Sequence, residues 1–527
     1  MKTIKKIAIA VSIAAVVNAV NAEPLPDYQT SNQWYQDAQA ALMQKLNVNN
    51  SFKAKNVILF VGDGMGVSTL TSARILQGQM NDMPGEEGYL SFETFPHTAL
   101  VKTYNVDAQT PDSAGTMTAM MSGLKTDVGV IGVDEDIQRG DCATVAGNEV
   151  ITALELAEIK GLSTGIISTA RITHATPAAT YAKSADRNWE DISDMPQDGV
   201  AGGCKDIADQ LVNFESYLEK RYQGVDIDGI DVAFGGGRRH FLPRDAAFNS
   251  PDAASSVEGD RTDGRDLTAE WQAKYVNGQY VYDQAGFDAI DATSAKKVLG
   301  LFNESHMQYE ADRGNDIAGE PSLTDMTAKA VDILNNNDKG FFLMVESGRI
   351  DHGHHAGSAY NALTDAIELS NAVKKAYEMT DPADTLILVT ADHGHVFTIA
   401  GYPKRGNPIL GKVVSVGSDT PATDFNGLPY TTLGYTNGRG MMNLGAETDA
   451  DAAYAVDINT GRMDLSAIDT TSSGFHQEAL IPATSETHSG EDIALHASGP
   501  GAQLVQGVIE QNALFHLINQ SLGLIKE

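Results

Sequence analysis

Asp63, Glu346 and the pair Asp392 and His393 each stand just after a short apolar run: Asn56 to Val61, Gly340 to Val345 and Thr385 to Thr390. Runs that are apolar on both faces read as buried parallel strands, and open α/β sheets bind ligands beyond the carboxyl ends of their strands. Singly, each acid reads as readily as a helix cap. Three strand ends that bring acids and an imidazole to one edge read as a metal site. Asp351 and His355, four residues apart in Asp351-His352-Gly353-His354-His355, add a carboxylate and an imidazole that converge from one turn of helix. His488, within Glu486-Thr487-His488-Ser489-Gly490-Glu491-Asp492, offers another imidazole. Mixed Asp and His ligation suits zinc or a related transition ion, whereas oxygen alone would favour magnesium or calcium.

A hydroxyl stands apart from these ligands. In Thr110-Pro111-Asp112-Ser113-Ala114-Gly115-Thr116 an extended segment enters a helix through Met117 and Met120. A serine at such a start meets unpaired backbone N–H groups that suit an anion. Ser113 or Asp112 serves equally as an ordinary N-cap, and both readings stand at this level. Metal ligands elsewhere favour the nucleophile, because a hydroxyl beside zinc ionises near neutral pH without an adjacent base.

The elements that must position these residues follow from periodicity. Further short runs at Gly165 to Ser168 and Ile230 to Phe234 alternate with amphipathic segments such as Ala356 to Met379, where Ala362, Ala366, Leu369, Val373 and Ala376 recur at helical spacing. The alternation predicts an α/β fold, a three-layer sandwich with a large, mostly parallel central sheet flanked by helices. From about residue 397 to 480 the chain turns to glycine, threonine, asparagine and acids with weak periodicity. This reads as an inserted lobe, because the chemistry-bearing residues resume directly after it.

Lys2, Lys5 and Lys6, the apolar run Ile7 to Val17 and the small-residue exit at Ala22 have the three parts of a secretory signal peptide, residues 1–22. That implies a periplasmic or secreted protein, and no later run is long enough to suggest a membrane span. With 37 basic and 70 acidic side chains the formal charge is −33, and losing a leader with three lysines and no acid leaves −36. Such a surface excludes nucleic-acid backbones and anionic membranes as partners. An anionic substrate would need local positive charge, which bound metal ions supply. The two cysteines, Cys142 and Cys204, read as a disulfide in an exported protein, with two free thiols as the alternative.

Five motifs in order resemble the alkaline phosphatases, especially the type with a large inserted crown, over nearly the whole chain after the leader. They are Val61-Gly62-Asp63-Gly64-Met65-Gly66, Asp112-Ser113-Ala114, Glu346-Ser347-Gly348-Arg349-Ile350 continuing to His355, Thr390-Ala391-Asp392-His393 and Thr487-His488-Ser489-Gly490-Glu491-Asp492. The resemblance implies hydrolysis of small phosphate monoesters through a phosphoserine at Ser113, favoured at alkaline pH, with two zinc ions and one magnesium per subunit. It places one zinc on Asp351, His355 and His488, and the second on Asp63, Asp392 and His393 facing Ser113. Magnesium falls to Asp63, Thr176 and Glu346. Arg187, in Asp186-Arg187-Asn188-Trp189, matches the arginine that clamps phosphate, whose planar fork suits two oxygens. The resemblance pairs Cys142 with Cys204. It also implies a homodimer, with an N-terminal arm at residues 23–50 reaching the partner and a catalytic domain at 51–527.

Departures matter too. His174 stands where some bacterial members carry aspartate, which weakens the case for magnesium at the third site, and His352 lies beside the site where the family varies. His354 and His395 take supporting roles at most. Asn303 replaces a carboxylate of the animal members' calcium site, so no calcium is expected. A sulfatase is disfavoured because Ser113-Ala114-Gly115-Thr116 lacks the motif for a modified nucleophile, and a diesterase because Arg187 suits a monoester's free oxygens. A non-catalytic phosphate-binding protein would use the same ligands without turnover.

Overall fold

The computed structural model describes residues 25–45 and 52–525. The leader at residues 1–22 lies outside the described residues.

Ten strands build the central sheet: β1 (Asn56–Gly62), β2 (His97–Lys102), β3 (Ser163–Arg171), β4 (Val232–Gly236), β5 (Gln279–Val281), β6 (Val298–Leu301), β7 (Phe341–Ser347), β8 (Thr385–Ala391), β9 (Ile493–Ser498) and β10 (Gly507–Glu510). Their order is β10-β2-β9-β8-β1-β7-β3-β4-β6-β5. Strands β8 through β5 are parallel, and β9 runs against both of its neighbours. The apolar runs became the middle of this sheet because β1, β7 and β8 are buried along their whole length. Both faces are covered by helices, so no alternation of polar residues survives in them.

Helices cover the sheet. They include α1 (Asp27–Ser31), α2 (Gln33–Lys45), α3 (Val67–Met80), α4 (Ser113–Ser122), α5 (Ala153–Lys160), α6 (Leu323–Leu334), α7 (Arg349–His355), α8 (Ala359–Met379) and α9 (Ala513–Leu522). In α8, Ser358 caps the start by accepting from the Asn361 N–H, and Ala362, Ala366, Leu369, Val373 and Ala376 are all buried. The predicted Ala356 to Met379 helix is thus shorter at its start: Ala356 and Gly357 make the turn between α7 and α8, and Gly357 takes a φ of +81° there.

The described part of the N-terminal segment packs on the body of the chain through Gln29. The buried Gln29 amide donates to the carbonyls of Ser122 (2.8 Å) and Ile151 (3.1 Å) and accepts from the Ile151 N–H (2.7 Å). Cys142 and Cys204 are bonded, with their Cα atoms 5.9 Å apart. They pack beside a small satellite core of Val130, Val133, Ile137, Trp189 and Met195, which supports the loop that carries Arg187. Residues 397–480 hold a three-stranded sheet of Phe397–Ile399, Leu433–Gly438 and Ala479–Pro482, with a little core of Met441, Leu465 and Phe475. Among the described residues, no helix is long and apolar enough to cross a membrane.

Because β1 is buried between β7 and β8, Leu59→Ala should cost about 2–5 kcal/mol. Tyr402→Ala, at an 88% exposed side chain of the 397–480 segment, should stay within about 0.5 kcal/mol. Denaturant midpoints of the two variants check both.

Candidate active site

The carboxyl ends of β1, β7 and β8 open onto one site. Asp63 follows β1, Glu346 is the next-to-last residue of β7, and Asp392 and His393 follow β8. The turn after β1 needs Gly64. Its φ is +66°, and a Cβ there would fall 2.2 Å from His395 Nε2. The Gly64 N–H donates to Asp392 Oδ1 at 2.9 Å and so locks two strand ends together.

Asp112, not Ser113, caps α4, accepting from the Gly115 N–H. This resolves the two readings of the Asp112-Ser113 pair: the aspartate takes the structural role, and the serine becomes the first helical residue with its hydroxyl free to face the ligands. Ser113 Oγ lies 3.1 Å from His393 Nε2 and 3.3 Å from Asp63 Oδ1.

The imidazoles carry the clearest sign of a metal. His355 Nδ1 lies 2.6 Å from the Glu486 carbonyl and His488 Nδ1 2.8 Å from the Pro111 carbonyl. A carbonyl only accepts, so each Nδ1 bears a proton and each Nε2 is the atom turned toward Asp351, available to a metal when the ring is neutral. Those two Nε2 atoms face each other at 3.1 Å and stand 3.2 and 3.3 Å from Asp351 Oδ1. Two ring nitrogens and a carboxylate oxygen so placed need shared protons or a metal ion among them. The ligand atoms of Asp63, Asp392 and His393 converge within 4.8 Å of one another, as do those of Asp351, His393, His395 and His488. The residues present therefore fit two ions of zinc type.

A third group unites Asp63, Glu346 and His174. Glu346 Oε2 is hydrogen-bonded to the Ser168 hydroxyl, while Oε1 and His174 Nδ1 are buried without a hydrogen-bond partner. Thr176 lies beside Glu346, and its hydroxyl helps to hold the carboxylate's charge. The short turn after β3, which also carries Thr176, brings His174 into this third group.

Electrostatics agree with the geometry. Burial, and then the charge of Asp392, push Asp63 well above the usual carboxylate range. Burial pushes Glu346 up to about 7. Burial also works to raise Asp351, but the imidazoles of His355, His395 and His488 outweigh it and hold the group low.

Arg187 reaches the mouth of the site, with Nη1 3.0 Å from Asp112 Oδ2 and Nη2 3.3 Å from His174 Nε2. His352 does not join the ligand groups. Its Nδ1 accepts from Arg349 (3.0 Å) and its ring packs 4.1 Å from that of His306. A cavity of about 330 Å³ adjoins it, lined by His306, Arg349, His355, Asp451 and Tyr454. His354 points away, bonded to Thr69 and Tyr435. His395 holds Asp351 at 2.9 Å and Glu486 at 2.6 Å, and these carboxylates, outweighing burial, raise it to about 10. Glu486 and His306 carried no signal of their own. One is an acid beside a stronger motif and the other an isolated histidine in a loop.

An α/β sandwich with acids and imidazoles at parallel strand ends, facing a serine at a helix start, defines a metal-assisted group-transfer site. A family model for alkaline phosphatase matches residues 54–524. The tissue-nonspecific alkaline phosphatase of Gallus gallus is 43% identical over 488 residues, covering 92% of this chain and 88% of that protein. The alkaline phosphatase of Gadus morhua is 41% identical over 498 residues, covering 94% and 96%. The crystal structure of Thermus thermophilus alkaline phosphatase shares the fold at a TM-score of 0.62 and 22% identity, over 95% of this chain and 96% of that one. The chain belongs to the alkaline phosphatase family.

Two outcomes follow from this geometry. His395→Asn, which frees Asp351, should weaken zinc retention by roughly 10–100-fold, read by competition with a chelator. In chelated protein the folded form holds the Glu346 proton up to about pH 7 against an ordinary value of 4.5. That contribution to stability is full below pH 4.5 and is lost as pH rises through 7. The rise in melting temperature on adding metal should therefore be larger at pH 8 than at pH 5.5.

Proposed function

We propose that this chain hydrolyses small phosphate monoesters through a phosphoserine at Ser113, in a site holding two zinc ions and a third ion. Family membership supports the reaction class. The observation that carries the assignment of the nucleophile is the Ser113 hydroxyl, released from capping and held 3.1 Å from His393 and 3.3 Å from Asp63. Asp351, His355 and His488 would hold one zinc, and Asp63, Asp392 and His393 the other.

Ser113 Oγ forms the new bond to phosphorus as the ester bond opposite it breaks and the alcohol departs. Water then attacks the phosphoserine in the same line, giving inorganic phosphate and restoring the serine. Bound zinc supplies the charge that ionises serine and water near neutral pH and offsets the departing oxygen. Arg187, steadied by Asp112, offers its fork to two equatorial oxygens. The first N–H groups of α4 face the same oxygens. Each transfer inverts phosphorus, so the two together retain its configuration.

The third ion falls to Asp63, Thr176 and Glu346. An oxygen set suits magnesium, but the His174 nitrogen beside it draws the site toward zinc. The exported location, the leader at 1–22, the homodimer with its 23–50 arm, and the division into a 51–527 catalytic domain with a lobe at about 397–480 belong to the same reading.

Ser113→Ala should abolish covalent trapping of phosphate at acidic pH, and labelling that persists would move the nucleophile elsewhere. A nitrophenyl monophosphate should be turned over far faster than its diester; equal rates would favour a diesterase. His174→Asp should raise the magnesium-to-zinc ratio of the purified protein, measured by elemental analysis.

A further inference from the structure

A second group of ligand-type side chains lies outside the site just described, where the loop that follows Arg187 meets the turn at Arg238–His240 and Asp260. Asp191, His240 and Asp260 bring one ligand atom each within 4.8 Å of one another. Asp191 and His240 are buried, and Asp260 is partly open to solvent. Asp194 joins them at the rim, with Oδ2 3.9 Å from His240 Nδ1 and its side chain 39% exposed.

The histidine has two distinct sides. Its Nδ1 faces Asp191 Oδ2 at 2.5 Å and Asp194 beyond it. Its Nε2 faces Glu190 Oε2 at 3.3 Å. A carboxylate on the far nitrogen is the usual partner of a metal-binding imidazole, since it fixes the tautomer and raises the basicity of the other nitrogen.

Charge points the same way. Glu190 is already matched by Arg171, at 2.5 and 2.8 Å, and by the Thr173 hydroxyl at 2.6 Å. Arg239 is divided between Asp260 at 3.9 Å and Glu304 at 3.5 Å. That leaves Asp191, Asp194 and Asp260 around one imidazole, with a shared guanidinium as the only further cation in reach among the described residues. Asp191 Oδ1 accepts from the Ser193 N–H at 2.6 Å, which orients the other oxygen toward His240.

We propose that Asp191, His240 and Asp260, with Asp194 at the rim, form an additional divalent-cation site that takes zinc or a similar transition ion. One imidazole with two or three carboxylates is a donor set for zinc or manganese more than for calcium. The ion would tie the turn at Arg238–His240 to the loop after Arg187, four residues from the arginine that faces the phosphate position. It is a bracing site and takes no part in the chemistry at Ser113.

The test is elemental analysis of zinc-loaded, desalted holoenzyme. Wild type should hold one equivalent of zinc more per chain than His240→Gln. Asp260→Asn alters only a partly exposed group and keeps the His240 pair with Asp191. It should weaken that equivalent by tenfold or more in chelator competition, while phosphate labelling of Ser113 is unchanged. If His240→Gln fails to fold, Asp260→Asn alone decides. Equal zinc content and equal retention in wild type and Asp260→Asn would overturn the site and leave His240 as an imidazolium paired between Asp191 and Glu190.

Discussion

Asp63, Glu346, Asp351 and Asp392 are each 4% exposed or less, and they meet at one edge of the sheet. Burial makes every one of these carboxylates costly to ionise, and their mutual repulsion adds to the cost. Arg187 stands at the mouth and is already turned to Asp112. Protons or cations within the cluster must balance so much buried charge, and much of the surrounding structure follows from that constraint. His355 and His488 turn their Nε2 atoms inward because backbone carbonyls hold their other nitrogens. The parallel run of β1, β7 and β8 brings three strand ends to one place.

The same constraint answers the electrostatic difficulty raised by the sequence. A surface with a formal charge of −33 repels a phosphate ester. Metal ions seated on buried acids would reverse the sign locally without changing the exterior. Ser113 then needs no dedicated base, which agrees with its neighbours, His393 and Asp63, both of them candidate metal ligands, with no other base in hydrogen-bond reach among the described residues.

Much of the sheet's centre was legible from the sequence. β1, β7 and β8 are buried on both faces, so their apolar runs are continuous and end on the ligands. The outer strands were not. β5 and β6 are three and four residues long, and β2 alternates between exposed and buried positions at a flank of the sheet. β9 runs against its neighbours and follows the 397–480 segment, so nothing local announces that it returns to the sheet. At the site, residues within dense motifs were legible, because a motif concentrates several ligands in one turn. His395, Glu486 and His306 act through partners distant in sequence, and their places depend on how the 397–480 segment and the loop after β6 fold back. The resemblance set His174 beside the third site, and the turn after β3 brings it into one group with Asp63 and Glu346.

The central claim is that cations, held by the buried acids and histidines, make Ser113 reactive. Its most direct measurement is activity and bound metal read together as zinc is titrated back into chelated protein. Activity should be absent in metal-free protein and return as the second zinc equivalent binds. Full activity with no bound metal would contradict the account.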